Sequence, residues 1–398
     1  MKIMSEYIPL EIQEEILKRL PLRPLISCRS VSKPWKRLID SPDFIISYGV
    51  RHPQPHGFIV RYSVTYDPDD VRYLNLVDSN NDDSFAKQPF LPPIPDLFKI
   101  YKYDPTVVGS CNGLLCFIGH NEYPDEDSSC VEMALLWNPS AKKSVGVQVP
   151  SMYNNKDFDN FDVVIGFGVC PLTCDPTIIK CCKKKIKNMF SITVPWRVRV
   201  FTLSTRTWSI LSTKRPRNSV KLEWPQVVID RFIYWVASDM LVTKHGRSQS
   251  PFLIMSFDLT TKAFKEINLT DSLTNPSCTI QTISKLHESL VLLECHREVE
   301  EVCCLWMMKE QGVNRSFTKL YNINVPHASI VTLLGFRRTG EIILATKSQQ
   351  GYEAKLEMYD PNSEVIDDLR INGDHDSFFM CSYMDSLLLV DQINEFVY

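Results

Sequence analysis

Cys170, Cys174, Cys181 and Cys182, with Cys303 and Cys304 further on, form the densest groupings of side chains able to bind a metal or act as nucleophiles. A structural zinc site needs four ligands, and its sequence sign is repeated C-x-x-C or H-x3–5-H steps. The two neighbouring pairs lack that spacing and no histidine pair lies near them, so buried thiols are expected and no metal ligand is assigned. Cys111 in "GSCNGLLCF" stands beside Asn112-Gly113, a dipeptide that reads as a hairpin turn. A reactive thiolate needs a positive neighbour or a base, and none is identifiable for it. The run "DSNNDD" from Asp78 alternates oxygen ligands as a calcium loop does. Its sixth position is Asp83 instead of glycine and its twelfth is Pro89 instead of glutamate, so it reads as an acidic loop. "KCCKKKIK", Lys180 to Lys187, is expected to be a solvated charge run, with a localisation signal or phosphate patch as the alternative. The 8 histidines are scattered, and no nucleophile-elbow, Walker or dinucleotide signature occurs. No catalytic, cofactor-binding or metal residue is therefore assigned, and the chain is expected not to be an enzyme.

Composition describes the scaffold. The 398 residues are 44% hydrophobic and 23% charged, ordinary globular usage and enough chain to bury a sizeable core. A net charge of -3 and a pI near 6.3 give no overall attraction to phosphate backbones or anionic lipid, so neither nucleic acid nor membrane is an expected partner. No window holds the run of about 18 apolar residues that spanning a bilayer requires. The start "MKIMSEYIPLEIQEE" turns acidic before a signal-like stretch develops. A soluble protein of the cytoplasm and/or nucleus is expected, its 13 cysteines reduced instead of paired in a disulfide framework.

From Ile8 to Phe44 the pattern is helical. Leu10, Ile12, Ile16, Leu17 and Leu20 make an approximately helical stripe among charged residues, with acid leading and base following as the helix dipole favours. Pro21 stops this helix. Pro24 suits the first turn of a second, which carries Leu25, Ile26, Cys28 and Val31; Ser32 can cap a third, with Pro34 in its first turn and Trp35, Leu38 and Ile39 on one side. Asp40, Ser41 and Pro42 are expected to end it. Three short helices of fewer than about 40 residues cannot bury all these apolar groups against one another. Trp35 therefore reads as part of a docking face, and Leu17, Leu20 and Trp35 are expected to lie uncovered by the rest of the chain.

The segment "IPLEIQEEILKRLPLRPLISCRSVSKPWKRLIDSPDF" resembles the F-box, the helical module by which ubiquitin-ligase receptors bind the Skp-family adaptor. Pro9, Ile16-Leu17, Leu20-Pro21, Leu25, Arg29, Val31-Ser32-Lys33, Trp35, Leu38-Ile39 and Ser41-Pro42 carry the match, with Ile8-Pro9 where Leu-Pro is usual. The resemblance implies adaptor contact through Pro9, Leu10, Ile12, Ile16, Leu17, Leu20, Pro21, Leu25, Val31 and Trp35.

Beyond Arg51 the chain changes to short β-branched and aromatic runs with turn residues between them, among them "GFIVRY", "DVVIGFGV", "FIYWVA", "SLVLLEC" and "SLLLVD",. A hairpin-like unit recurs: "YDPDDVRY" from Tyr66, "WNPSAKKS" from Trp137, "FTLSTRTW" from Phe201, "FDLTTKAF" from Phe257, a longer variant from Trp306, and "YDPNSEVI" from Tyr359. Asp258 and Asp360 suit Asx-turns. The aromatic landmarks recur at roughly 50 to 70 residues, which approaches a propeller blade, and six landmarks indicate about six blades. "FFMCSYM" and "SLLLVDQ" are expected to join the first blade and close the ring. These hairpins resemble the kelch-type repeats of plant F-box proteins, whose C-terminal part is the F-box-associated domain. "GSCNGLLCF", "LLWNPSAKK", "GFG" at 166–168 and "FDLTTKAF" follow that family's order, although the chain has only 14 glycines and no Gly-Gly pair. The expected fold is mainly β with a small N-terminal α module: a three-helix F-box over 5–46 and a kelch-like β-propeller of about six blades over 52–398, with a β-sandwich as the alternative.

The resemblance implies a non-catalytic substrate-recognition subunit of a Skp–cullin–F-box ubiquitin ligase. The F-box would dock on the adaptor, and through it on a cullin, while the propeller holds an unidentified target protein. A propeller-type enzyme or a small-ligand or glycan binder is the alternative.

Overall fold

The computed structural model describes residues 8–51, 57–65, 70–78, 85–89, 95–101, 105–121, 131–151, 161–185, 194–240, 252–270, 273, 278–296, 302–311, 314–348, 353–382 and 384–397. Four helices open the chain: α1 (Leu10–Leu17), α2 (Leu22–Cys28), α3 (Lys33–Ile39) and α4 (Pro42–Arg51). The expected punctuation holds within α2 and α3. Pro24 lies in the first turn of α2, Pro34 in that of α3, and the Ser32 side chain caps α3 by accepting from the Trp35 N–H at 3.3 Å. Three helices had been expected. Pro42 both follows α3 and starts α4, because proline lacks only an N–H that the first turn leaves unpaired anyway.

The remaining described strands form six sheets. Blade I pairs the late strand Phe379–Ser382 with Gly57–Ser63, Val71–Asp78 and Phe85–Pro89. Blade II runs Thr106–Cys111, Leu114–Asn121, Val131–Asn138 and Lys143–Gln148, and blade III Phe161–Val169, Pro176–Lys184, Arg197–Thr202 and Thr207–Leu211. Blade IV runs Val220–Ile229, Phe232–Asp239, Phe252–Asp258 and Ala263–Ile267. Blade V has Cys278–Leu286, Ser289–His296, Val302–Gln311 and Asn314–Asn324, and blade VI Ser329–Phe336, Ile342–Lys347, Glu353–Tyr359 and Ile366–Asp374. The first strand of each blade lies beside those of its neighbours around the ring. This is a six-bladed propeller, and the sandwich alternative is set aside.

Pairing of Phe58–Arg61 with Phe379–Ser382 closes the ring, the role expected of "FFMCSYM". "SLLLVDQ" is not a strand. It is a turn segment in which Leu387, Leu388, Leu389 and Val390 are all buried, after which Glu395–Val397 adds in parallel to the outer strand of blade II. Burial, not pairing, accounts for its apolar run.

Each interface between neighbouring blades carries its own apolar cluster, with Trp137 and Phe117 between blades I and II, Phe167 and Phe201 between II and III, and Trp196 and Trp235 between III and IV. Burying one such side chain contributes roughly 1.5–3 kcal/mol. Four landmark hairpins, at Trp137, Phe201, Phe257 and Tyr359, join the third and fourth strands of their blades. Five positions after each aromatic, Lys142, Arg206, Lys262 and Glu364 adopt φ of 54°, 54°, 52° and 58°. These left-handed positions are where a glycine would be expected, so a glycine-poor chain still makes propeller hairpins. Residues 66–69 of the first landmark lie outside the described residues. That tip joins the second and third strands of blade I, which accounts for the long first interval.

Candidate adaptor-docking face

Leu17, Leu22, Leu25, Ile39, Phe44 and Tyr48 pack together with Leu387 and Val390 from the buried C-terminal turn. Leu17 and Leu25, assigned to the contact surface, are exposed by only 1% and 0%. Leu20 and Trp35 are half-buried against the same cluster. The premise that three helices cannot cover these groups holds, but α4 and the Leu387–Val390 turn supply much of the cover. The Trp35 indole N–H donates to Gln13 Oε1 at 2.6 Å and ties α3 to α1. The Tyr48 hydroxyl donates to the Leu20 carbonyl at 3.1 Å; burial, then the charge of Asp385, pushes its pKa up to about 12.

The other assigned residues remain on the surface. Pro9 and Pro21 are exposed, Leu10 is 49% exposed, Ile12 52%, Ile16 50% and Val31 65%. Ile8, absent from the assignment, is 41% exposed and stands four residues before Ile12, which stands four before Ile16. Ile8 lies just before α1, and within the helix the i, i+4 spacing of Ile12 and Ile16 puts both on one side of α1,. Leu17, one residue on, turns inward. Helical periodicity finds the stripe but cannot say which of two adjacent apolar faces is covered.

A polar clamp fixes the module to the propeller. Arg29 Nε and Nη2 donate to the two carboxylate oxygens of Asp40 at 2.6 and 2.9 Å, and Nη1 donates to the Val390 carbonyl at 2.8 Å. Asn138 Nδ2 donates to the carbonyls of Ser386 and Leu388 at 2.9 and 2.6 Å and holds the same turn against blade II.

The cysteines do not converge. Cys181 and Cys182 are consecutive in a strand and project to opposite faces. Cys295 and Cys303 face each other across adjacent strands of blade V and form a disulfide, with Cα atoms 4.1 Å apart. This corrects the expectation of reduced thiols throughout; the register that makes them neighbours is not visible in their spacing. Among the described residues no three His, Cys, Asp or Glu side chains group as metal ligands. The Lys180–Lys187 run is not wholly a solvated patch. Lys180 is buried and ion-paired with Glu132, and Lys183 is buried against the Asn218 carbonyl and the Trp196 ring. Lys184 and Lys185 are exposed, and 186–187 lie outside the described residues, as does "DSNNDD" beyond Asp78.

A four-helix module is clamped to a six-bladed propeller. A family profile described as F-box domain matches residues 6–47, and one described as F-box associated beta propeller domain matches residues 65–390. The chain belongs to the F-box proteins with an F-box associated beta propeller domain. It is similar to F-box protein CPR1 of Arabidopsis thaliana, 24% identical over 406 residues, with 96% of this chain and 89% of the relative covered. It is also similar to F-box protein At1g52495 of Arabidopsis thaliana, 23% identical with 86% and 75% covered. Among solved structures it is similar to the β-propeller domain of the Trilobed protease from Pyrococcus furiosus, at 11% identity and a TM-score of 0.35, covering 67% of this chain and 71% of that one. Among the described residues no helix is long and apolar enough to cross a membrane.

Proposed function

We propose that this chain is the substrate-recognition subunit of a Skp–cullin–F-box ubiquitin ligase, acting in the cytoplasm or nucleus and non-catalytic itself. The exposed Ile12 and Ile16 of α1, with Ile8, Pro9, Leu10, Pro21 and Val31 exposed in the same module, dock on the Skp-family adaptor and through it on a cullin. Leu17, Leu20, Leu25 and Trp35 shape that face from beneath or at its edge. The propeller holds the target protein. Such a subunit supplies effective concentration and orientation, converting a bimolecular ubiquitin transfer into a nearly intramolecular one. The observation that carries this reading is a row of large apolar side chains left exposed directly above a sealed core in an F-box, since surface patches of this kind mark interaction sites. The test is adaptor pull-down by the full chain. Ile12→Asp is expected to lose the adaptor while Ile210→Asp, at an exposed residue of the outer strand of blade III, retains it. Equal capture by both variants would remove the assignment.

A further inference from the structure

Ile8 is one of the exposed apolar residues of the helical module, at 41%, yet it stands before α1 and helical geometry does not place it. Pro9, which leads into the helix, has φ of -52° and ψ of 146° and no side-chain cap. Its carbonyl accepts from the N–H groups of Ile12 and Gln13, both at 3.1 Å, so the helical bonding begins one residue after Ile8. Residues just outside a helix open at little free-energy cost unless something ties them down.

The tie is a side chain. Gln13 Nε2 donates to the Ile8 carbonyl at 2.7 Å, while Gln13 Oε1 accepts from the Trp35 indole N–H at 2.6 Å. An indole nitrogen can only donate and a carbonyl can only accept, so the amide satisfies both partners in one orientation alone. Trp35 fixes the oxygen and thereby aims the Nε2 group at Ile8. The indole is itself held, since Trp35 is half-buried and its backbone N–H bonds the Ser32 side chain that caps α3. One amide thus joins the residues leading into α1, α1 itself and the aromatic ring of α3.

We propose that Gln13 is a positioning residue for adaptor docking, holding Ile8 and Pro9 in place relative to Trp35 before the adaptor arrives. This rests on the docking reading above. Ordering a loose segment at an interface costs affinity, and a side chain that orders it beforehand removes that cost. Gln13 acts through Ile8 and not by touching the adaptor. Breaking one such hydrogen bond corresponds to roughly a twofold to tenfold loss of affinity.

The test is calorimetric titration of the full chain and its variants with purified Skp-family adaptor, beside thermal melts. Gln13→Glu keeps an acceptor for the Trp35 indole but presents a carboxylate, with no donor, to the Ile8 carbonyl. It is expected to bind roughly twofold to tenfold more weakly at an unchanged melting temperature. Gln13→Met, neutral and of similar length, loses both hydrogen bonds and is expected to bind at least as weakly. Ile8→Ala removes the side chain that Gln13 positions and retains the carbonyl, so in that background the further loss from Gln13→Glu is expected to shrink toward none. An undiminished loss there would mean direct contact or charge repulsion, and a lowered melting temperature of Gln13→Glu a structural role; either overturns the proposal. Wild-type affinity in Gln13→Glu while Ile12→Asp fails to bind overturns it alone. Wild-type affinity in both overturns it together with the docking reading.

Discussion

The guanidinium of Arg29 donates to the carbonyl of Val390 at 2.8 Å across a sequence separation of 361 residues, and the same side chain holds Asp40 in a two-pronged ion pair. One residue thus joins α2, the end of α3 and the C-terminal turn of the propeller. Arg29→Ala leaves the Asp40 carboxylate, largely shielded from water, without this partner. The helical module is expected to lose about 1–3 kcal/mol. Hydrogen exchange should show faster amide exchange in α1 to α3 with the blades unchanged.

Adjacent residues of α1 are expected to fail in different ways. Ile16 is 50% exposed and Leu17 1%. Ile16→Asp should leave the melting temperature unaltered and weaken adaptor capture at least about tenfold, as removal of an interface anchor does. Leu17→Ala should destabilise the module by about 2–5 kcal/mol. Denaturant melts beside pull-downs separate the two; loss of stability in Ile16→Asp would mean that the stripe is core.

Glu357 is a buried carboxylate of blade VI contacted by Lys355 Nζ at 2.7 Å, the Thr346 hydroxyl at 2.6 Å and His327 Nε2 at 2.9 Å. Burial opposes its ionisation, but hydrogen bonds from Lys355, Thr346 and His327 outweigh this and hold its pKa below 4.5. A depressed pKa contributes stability that is present above the unfolded value and lost as pH falls through the folded one. Glu357→Gln should therefore be less stable than wild type at pH 7 by about 1–3 kcal/mol, and the gap should close as the pH drops below 4.5. Unfolding titrations from neutral to acid pH check this; a pH-independent gap would reject it.

Gly113 combines a positive φ of 77° with close approach of the C-terminal segment. A Cβ there would lie 2.6 Å from the Met384 carbonyl oxygen and 2.7 Å from Ser386 Cβ. Gly113→Ala must strain the turn or displace that segment, at a cost of about 1–3 kcal/mol, measurable by chemical denaturation. Gly340→Ala tests the torsional part alone, because its φ is also positive and nothing lies within 4 Å of the added carbon.

Local signals in the chain were sufficient wherever the physics is local. Ser32 and Pro34 mark the start of α3 because a cap and a missing donor act within one turn. Asn112 and Gly113, at φ of 49° and 77°, form the tight turn their side chains permit. Asp258 and Asp360 make the Asx bonds expected of them. Six aromatic landmarks indicated the six blades, since each blade must repeat the same strand and turn chemistry to bury its faces against its neighbours.

What required the tertiary structure was the identity of partners distant in sequence. "SLLLVDQ" has the composition of a strand, but it forms a buried turn because α1 to α4 and blade II cover it. Leu17 and Ile16 are equally apolar, and only the placement of α4 and Val390 made one core and the other surface. Cys295 meets Cys303 by strand register, and Lys180 is buried because Glu132 of the neighbouring blade neutralises it. Composition and periodicity determined most of the elements and the number of blades, since backbone torsion and side-chain spacing act over a few residues. The clamp was decided by closure of the ring, which brings residues hundreds of positions apart within hydrogen-bond reach.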